Sequence, residues 1–398
     1  MVRRDPFRIK PIATALSPWL GLSYAFCEHA VACAVSLTLT LGFNILAITL
    51  CAAFSSAVFP VSAKNEADLL TYGDLDLIAG SNSSFSASYE DVVSAAARLR
   101  LDERALDGLW RTVSVTYAPW TASFAFPGVW SLSSYVLGCM PFAILDLLDL
   151  PALRKYKLQP AKQPAKPGSW RNTIGTTLLL QFLFPVPAMI GQVFFKGPWT
   201  YGYSTKSGIF CVHDCVWGAS VFPVAAPSLV EAVVQLFVCL VIFDLGYYGW
   251  HSLHHISRPL YRNIHSVHHE YYAPFVWVTQ YTHACELTAV ATMSMTIPIA
   301  MRAHPLVHWV WLSLVVLISI DSHTGYELPG CFSVDNIFPC CGGTRHHDTH
   351  HAYPITNFQP FFKYADKAFG TDWAQSAFAR AERKKREAGV GLSSSKDE

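Results

Sequence analysis

Ten of the sixteen histidines in this 398-residue sequence fall in three short segments. On an α-helix, residues three or four positions apart share one face. The second and third segments are therefore each predicted to direct three imidazoles at one point. The segments are His251-Ser-Leu-His254-His255, His265-Ser-Val-His268-His269 and His346-His347-Asp348-Thr349-His350-His351. The ligands predicted in the second and third segments are His265, His268, His269, His347, His350 and His351.

In the first segment, a helix aligns His251 with His255 to within about 40 degrees but places His254 about 100 degrees from His255. His251 and His255 are therefore the predicted ligands, and His254, His346 and Asp348 are weaker candidates. Asp244 lies seven residues before His251 and on the same helical face, inside an apolar stretch where a lone carboxylate is costly. It is predicted to accept a hydrogen bond that orients a ligand imidazole.

So many imidazoles packed without a metal ion would repel each other when protonated near their ordinary pKa of about 6.5, and each would need its own hydrogen-bond partner. A zinc site closes at four ligands, so eight or more nitrogens predict two metal ions. Imidazole binds iron, copper, nickel and zinc, and spacing alone does not choose among them. The isolated His29, His213, His304 and His308 are expected to be structural.

The elements that position these histidines are predicted to lie in a membrane. Only 14% of the residues are charged, against about 25% in soluble domains, and the net charge of +1 offers no basic field for nucleic acid. Each long apolar stretch is close to, or longer than, the roughly 20 residues of a spanning helix. Two shorter stretches predict a hairpin that dips into the membrane, and the alternative is that each of them spans it. The long stretches are 30–59, 128–145, 173–195 and 232–250, and the hairpin is 287–301 with 303–320.

The predicted fold class is therefore an all-α integral membrane bundle with a histidine-rich di-metal site on its cytoplasmic face. Lysine and arginine gather before residue 11 and between 154 and 166, which marks these segments as cytoplasmic. The intervening loop, with the glycosylation sequon at Asn82, is then lumenal. The predicted regions are 1–126 (N-terminal segment, anchor and lumenal loop), 127–250 (spanning helices with a linker at 151–171), 251–375 (catalytic region) and 376–398 (charged tail).

The histidine segments resemble those of the fatty acid hydroxylase and sterol desaturase superfamily, whose members carry H-x-x-x-H and two H-x-x-H-H motifs. The resemblance extends over residues 155–371. It is strongest to the 4-methyl sterol oxidases at residues 345–351 and 369–372, whereas 357–362 resembles the cholesterol 25-hydroxylase branch. The stretch 281–286 also matches the oxidase pattern, which implies that His283 and His323 lie near or on the metals and makes Glu286 a supporting candidate.

The resemblance implies a non-haem di-iron monooxygenase of the endoplasmic reticulum that uses O2 to oxidise a C–H bond of a sterol, with 4-methyl sterol oxidation as the first expectation. The enzymatic alternatives are sterol 25-hydroxylation, hydroxylation or desaturation of another lipid, and zinc-dependent hydrolysis. The non-enzymatic alternatives are a metal transporter and a lipid-binding membrane protein. No nucleotide-binding glycine motif is present, so electrons are expected from NAD(P)H through a separate reductase or b-type cytochrome.

Several residues beside the histidine segments are predicted to line the substrate cavity. The alternative for each aromatic ring is core packing or an interfacial belt. The candidates are Tyr271, Phe275, Trp277, Asn357, Phe358 and Phe361.

Overall fold

The computed structural model describes residues 24–58, 69–70, 106–117, 126–159, 167–183, 202–203, 210–211, 222–223, 226–301, 303–330, 333–377, 379–381 and 384. In these ranges the helices are α1 (Tyr24–Val58), α2 (Asp107–Arg111), α3 (Phe126–Leu148), α4 (Pro151–Arg154), α5 (Pro167–Leu183), α6 (Leu229–Ile256), α7 (Arg258–Asn263), α8 (Ala284–Ala300), α9 (Pro305–His323), α10 (Val334–Ile337), α11 (Gly343–Ala352) and α12 (Tyr364–Phe369).

The remaining regular structure in these ranges is short. A π-helical turn covers Thr112–Thr116, and 3-10 turns cover His265–Glu270, Val276–Val278 and Trp373–Gln375. Strand β1 (Leu69–Leu70) pairs antiparallel with β4 (Phe222–Pro223), and β2 (Gly202–Tyr203) pairs with β3 (Phe210–Cys211). Each ladder has only two residues per strand, so the all-α prediction is confirmed.

Helices α1, α3, α6 and α9 are long and apolar enough to cross a membrane. Three of the predicted long spans are thereby found, and α8 and α9 form the predicted hairpin, with α9 long enough to span. The predicted span 173–195 appears as α5, which is described only to Leu183. The rest of that span, Asn82 and the residues of the tail beyond 384 lie outside the described residues.

Local sequence explains where the central helices begin. The Ser228 hydroxyl accepts a hydrogen bond from the Glu231 backbone and caps α6. Proline at the first position starts α9, whose preceding residue, His304, accepts from the Leu306 N–H through its ring. The bundle core then forms where α6, α8 and α9 pack Phe243, Met293 and Trp311 against each other and against α1.

Helices α3 and α9 run in the same direction. Trp130 donates to the Trp309 carbonyl near their starts, and Tyr326 just after α9 donates to Asp146 near the end of α3. A buried ion pair of 3.0 Å between Lys157 and Asp146 holds the segment after α3 at that same end. We call this the histidine end, where residues 146–159, 251–286 and 323–366 meet, and the opposite end the distal end.

Candidate metal centre

Nine buried or half-buried histidines gather in two groups at the histidine end. Donor atoms within each group all lie within 4.8 Å of one another. Cluster 1 consists of His251, His255, His265, His269 and His350, and cluster 2 of His268, His323, His347 and His351.

The second and third sequence segments do not each converge on one point, so that part of the prediction is wrong. In each H-x-x-H-H segment the first and last histidines, four residues apart, enter one cluster, and the middle histidine enters the other. In the third segment, on helix α11, residues four apart differ by about 40 degrees, whereas adjacent residues diverge by about 100 degrees. The second segment is a 3-10 turn, to which these α-helical angles do not apply. The middle histidine of the second segment, His268, thus joins cluster 2, and the middle histidine of the third, His350, joins cluster 1.

Within cluster 1 the Nε2 atoms face one another. Nε2 of His251 lies 3.0 Å from that of His265, and Nε2 of His269 lies 3.1 Å from that of His350. The Nδ1 atom of His251 donates to the Phe358 carbonyl at 2.7 Å, and that of His265 donates to the Glu286 carboxylate at 2.9 Å. Both rings of the His251–His265 pair therefore carry their proton on Nδ1, and each keeps a lone pair on Nε2.

Cluster 2 repeats this arrangement with different supporting groups. Nε2 of His323 lies 3.1 Å from that of His268 and 3.0 Å from that of His347. The Nδ1 atoms of His323 and His268 donate to the carbonyls of Ser319 and Tyr281. The unprotonated Nε2 atoms of His323 and His268 therefore face each other at 3.1 Å.

These facing nitrogens fit a metal ion and not a hydrogen bond. Neither Nε2 of such a pair carries a proton, and imidazole nitrogens bind divalent ions at about 2.0–2.1 Å, which separates two ligands of one ion by about 3 Å. His351 supports the same conclusion, because its Nδ1 donates to the Tyr271 carbonyl while its buried Nε2 has no hydrogen-bond partner among the described residues. The residues present therefore fit two bound metal ions.

Burial also keeps these imidazoles in the form that binds metal. It lowers the pKa of His268 to about 4. Burial, together with neighbouring imidazoles, holds the pKa of the other clustered histidines outside the spanning helices well below 6.5. Neutral imidazole is the ligand form, so the site is preset for metal at neutral pH.

Residues 356–363 form a loop, just before α12, whose backbone supports cluster 1. The carbonyls of Thr356 and Phe358 accept the Nδ1 protons of His350 and His251. Asn357 lies between these carbonyls at a φ of 55°, a left-handed conformation that asparagine tolerates. The loop residues thus act through backbone carbonyls, a role that the identity of their side chains does not reveal.

Two buried carboxylates hold this loop. Asp366 accepts from the backbone N–H groups of Phe358 and Gln359 and from His346. Burial alone would raise the pKa of Asp366, but the hydrogen bonds, chiefly that from His346, lower it. His346 therefore supports the loop and lies outside both clusters.

Asp244 holds the other side of the loop, and the prediction that it orients an imidazole directly is wrong. Its carboxylate accepts from the Gln359 side chain and from the backbone N–H groups of Phe361 and Phe362. The carboxylate that does contact a clustered histidine is Glu286, and its second oxygen, Oε2, is buried without a hydrogen-bond partner among the described residues.

Three other candidates lie away from the clusters. His254 donates to the Trp250 carbonyl and contacts the Ser36 hydroxyl at 3.0 Å. Asp348 accepts from Gln159, which links α11 to the segment after α3. His283 caps α8 by accepting from the Cys285 N–H, so the implied position on the metals is not found, whereas His323 lies in cluster 2 as implied.

A cavity of about 270 Å³ leads from cluster 2 into the apolar bundle. His268, His323 and His347 border it at the histidine end, and Leu312 borders it further along α9. Leu312 lies eleven positions before His323 on α9, so the cavity follows this helix for roughly 16 Å. Its wall is predominantly apolar.

Phe361 is the predicted cavity residue that lines this space. Phe275 and Trp277 instead pack in a core with Tyr135, which is the core-packing alternative for these two rings. Phe358 stands against the rings of cluster 1. Tyr271 supports His351 through its carbonyl, and Asn357 donates to the His346 carbonyl. Sequence reasoning missed most of the true lining, including Tyr247, Val290 and Val315, because apolar residues in apolar helices carry no distinguishing pattern.

Comparison with known proteins places this centre in a familiar context. The family model for fatty acid hydroxylases matches residues 236–371, which include every clustered histidine. No solved structure matches the chain.

The alignments with curated relatives cover most of the length of those proteins. A Danio rerio protein named cholesterol 25-hydroxylase-like protein 1, member 2 is 34% identical over 268 residues, 67% of this chain and 89% of that protein. The cholesterol 25-hydroxylase of Mus musculus is 32% identical over 272 residues, 67% of this chain and 82% of that enzyme. The human cholesterol 25-hydroxylase is 31% identical over 261 residues, 64% of this chain and 86% of that enzyme.

Proposed function

This chain belongs to the fatty acid hydroxylase family, and on that premise we propose that it is a sterol hydroxylase whose two histidine clusters hold a pair of iron ions. The observation that carries the proposal is the apolar cavity that ends on cluster 2. An apolar cavity between membrane helices favours a lipid, and its end at cluster 2 brings one part of that lipid beside the metal ligands.

The nine clustered histidines are the proposed ligands. Iron bound there would supply the redox chemistry that activates molecular oxygen. The protein orients the ligands, since Glu286 and the carbonyls of Phe358, Thr356 and Tyr271 fix the Nδ1 protons of four rings. The apolar wall excludes water from the substrate carbon.

A metal transporter is the less suitable class for this arrangement. Transporters place their ion sites near the bilayer midplane, at the interface of broken helices. Here His255 stands at the last turn of α6 and His323 at the end of α9, so the ligands lie at helix ends. Catalysis on a lipid is favoured over ion passage.

Two sterol positions compete as the site of oxidation. The relatives are cholesterol 25-hydroxylases by name, which favours attack on the sterol side chain, with the side chain entering first towards cluster 2. The segment 345–351 resembles the 4-methyl sterol oxidases and favours the opposite orientation, with the ring-A end at the metals. Both orientations use the same cavity.

Electron supply and location follow from the same proposal. The histidine end carries many lysines and arginines, which suits the cytoplasmic face of the endoplasmic reticulum. A membrane reductase or b-type cytochrome drawing on NAD(P)H would dock there. These basic residues are Arg154, Lys155, Lys157, Arg258, Arg262, Arg345, Lys363 and Lys367.

The test is product analysis with purified full-length protein, iron, oxygen and a reductase system. Cholesterol and a 4,4-dimethyl sterol are supplied separately, and the products are identified by mass spectrometry against standards. We expect two irons per chain and a 25-hydroxylated product from cholesterol. A product oxidised at the 4-methyl group would select the second orientation, and iron-loaded protein that oxidises neither sterol would contradict the proposed substrate class.

A further inference from the structure

A third group of metal-binding side chains lies outside both clusters, between the start of α1 and the start of α8. His29, Cys33 and His283 place donor atoms within 4.8 Å of one another. The Cys33 sulfur lies 3.7 Å from Nε2 of His29, and the rings of His29 and His283 are 5.0 Å apart. His29 and Cys33 lie outside the three histidine segments and outside the family match at residues 236–371.

A fourth donor adjoins this group. The thiol of Cys285 interacts with that of Cys33, and both side chains pack in the same small cluster around Leu260. Cys285 is not among the three residues whose donor atoms share the 4.8 Å limit, so it joins the site by a side-chain movement towards the ion. His29 and Cys33 are four residues apart on α1 and so share a face, while His283 and Cys285 flank the first residue of α8. Two helices thus each contribute one imidazole and one thiol.

We propose that these four residues form a separate structural zinc site that joins α1 to α8. Two thiolates and two imidazoles are the donor set of many closed tetrahedral zinc sites, and thiolate donors favour zinc over harder ions. All four side chains are half-buried, so an ion can reach them from the histidine end while the surrounding helices restrict their motion.

Binding here changes one hydrogen bond of the present structure. Nδ1 of His283 accepts from the Cys285 N–H, and a metal bond to that nitrogen replaces this cap at the exposed start of α8. One cap is a small loss against four metal bonds. Deprotonation of the two thiols releases two protons and gives a neutral site overall.

The position of the site explains what it would stabilise. Glu286 follows Cys285 directly and accepts the Nδ1 proton of His265 in cluster 1. The ion pair between Glu28 and Arg262 fixes the same end of α1 to α7. A zinc ion at this point would therefore fix the first turn of α8, and with it the carboxylate that orients a cluster 1 ligand.

Cobalt substitution tests the site without relying on enzymatic activity. Full-length protein purified in detergent and freed of metal is titrated with Co2+, and the thiolate-to-cobalt charge-transfer band is recorded in the near ultraviolet. The nine-histidine centre has no sulfur ligand and cannot produce this band. We expect the band in the wild-type protein, a weaker band in Cys33→Ser, its loss in the double variant Cys33→Ser with Cys285→Ser, and its displacement by Zn2+.

Cys27→Ser is the matched control, because Cys27 is a buried cysteine on the same helix outside the group and should leave the band intact. Protein isolated from zinc-supplied cells should also contain one more zinc ion per chain than the double variant does. The proposal is overturned if wild-type protein shows no thiolate band, if the double variant keeps it, or if Cys33 and Cys285 are found joined as a disulfide.

Discussion

At the scale of single residues, the spacing of the histidines predicted that they bind metal but not how they are shared between the ions. Applying to the third segment the angle argument that separated His254 from His255 would have divided that segment between two clusters. The second segment folds as a 3-10 turn, so the same argument does not predict how its histidines are shared. The supporting groups were less predictable. Glu286 is 21 residues from His265 and was a candidate only through the family resemblance. Backbone carbonyls support other rings, and no sequence pattern marks them.

Removing one ligand should empty cluster 2. We expect His268→Ala to lose iron and sterol oxidation, with a larger fall in metal affinity than the roughly 10–100-fold typical of removing a group that merely supports a ligand. The matched control is His254→Gln, which lies beside a ligand in the first segment and retains a hydrogen-bond partner for Ser36. Iron per chain and turnover are measured for both variants, and full iron in His268→Ala would contradict the assignment of cluster 2.

At the scale of elements, the spanning helices were predictable from the length of the apolar stretches, whereas the loop 356–363 was not. The segment 357–362, which resembles the cholesterol 25-hydroxylase branch, supports the metal centre in this structure. Its backbone holds His251, and its fold depends on Asp244 and Asp366, each of which binds several loop N–H groups. Asp244 is more than 100 residues away in sequence, and such a contact leaves no local signal.

Weakening the Asp244 contacts should loosen cluster 1 without touching a ligand. In Asp244→Asn, an NH2 donor takes the place of one carboxylate oxygen that accepts hydrogen bonds from the loop, such as that from the Gln359 amide. We therefore expect lower thermal stability and weaker iron retention at cluster 1. Asp149→Asn is the control, since Asp149 is an exposed carboxylate paired with Arg154 and its change should leave both quantities unaltered. Unchanged melting temperature and iron content in Asp244→Asn would show that the loop does not depend on this carboxylate.

At the scale of the whole molecule, the sequence predicted the membrane bundle and the position of the metals at its end. It predicted a substrate cavity but not most of its lining, because the apolar part of that lining comes mostly from α3, α6, α8 and α9, whose apolar residues look alike whether they face lipid, core or cavity. Val315 and Val310 illustrate this on one helix. The first lines the cavity, and the second is 42% exposed on the outer surface.

Filling the cavity should stop oxidation and leave the metals in place. We expect Val315→Trp to lower sterol turnover by at least 10-fold, since the added indole occupies space beside Leu312 and Val316, while iron content stays at the wild-type value. Val310→Trp makes the same change on the outer face of the same helix and should behave like the wild-type protein. Equal turnover in the two variants would show that the substrate does not use this cavity.

The direction of the bundle in the membrane gives the last prediction. The start of α1 and the ends of α3, α6 and α9 all lie at the histidine end, and basic residues gather there, so that end should face the cytoplasm. Cys340 is an exposed cysteine at this end, where its carbonyl accepts from the Lys363 backbone. We expect a membrane-impermeant maleimide to label Cys340 in sealed microsomes, with one label fewer in Cys340→Ser. The Asn82 loop should carry a glycan on the opposite side, removable by endoglycosidase. Labelling of Cys340 only after detergent would reverse the orientation and with it the proposed access of a cytoplasmic electron donor.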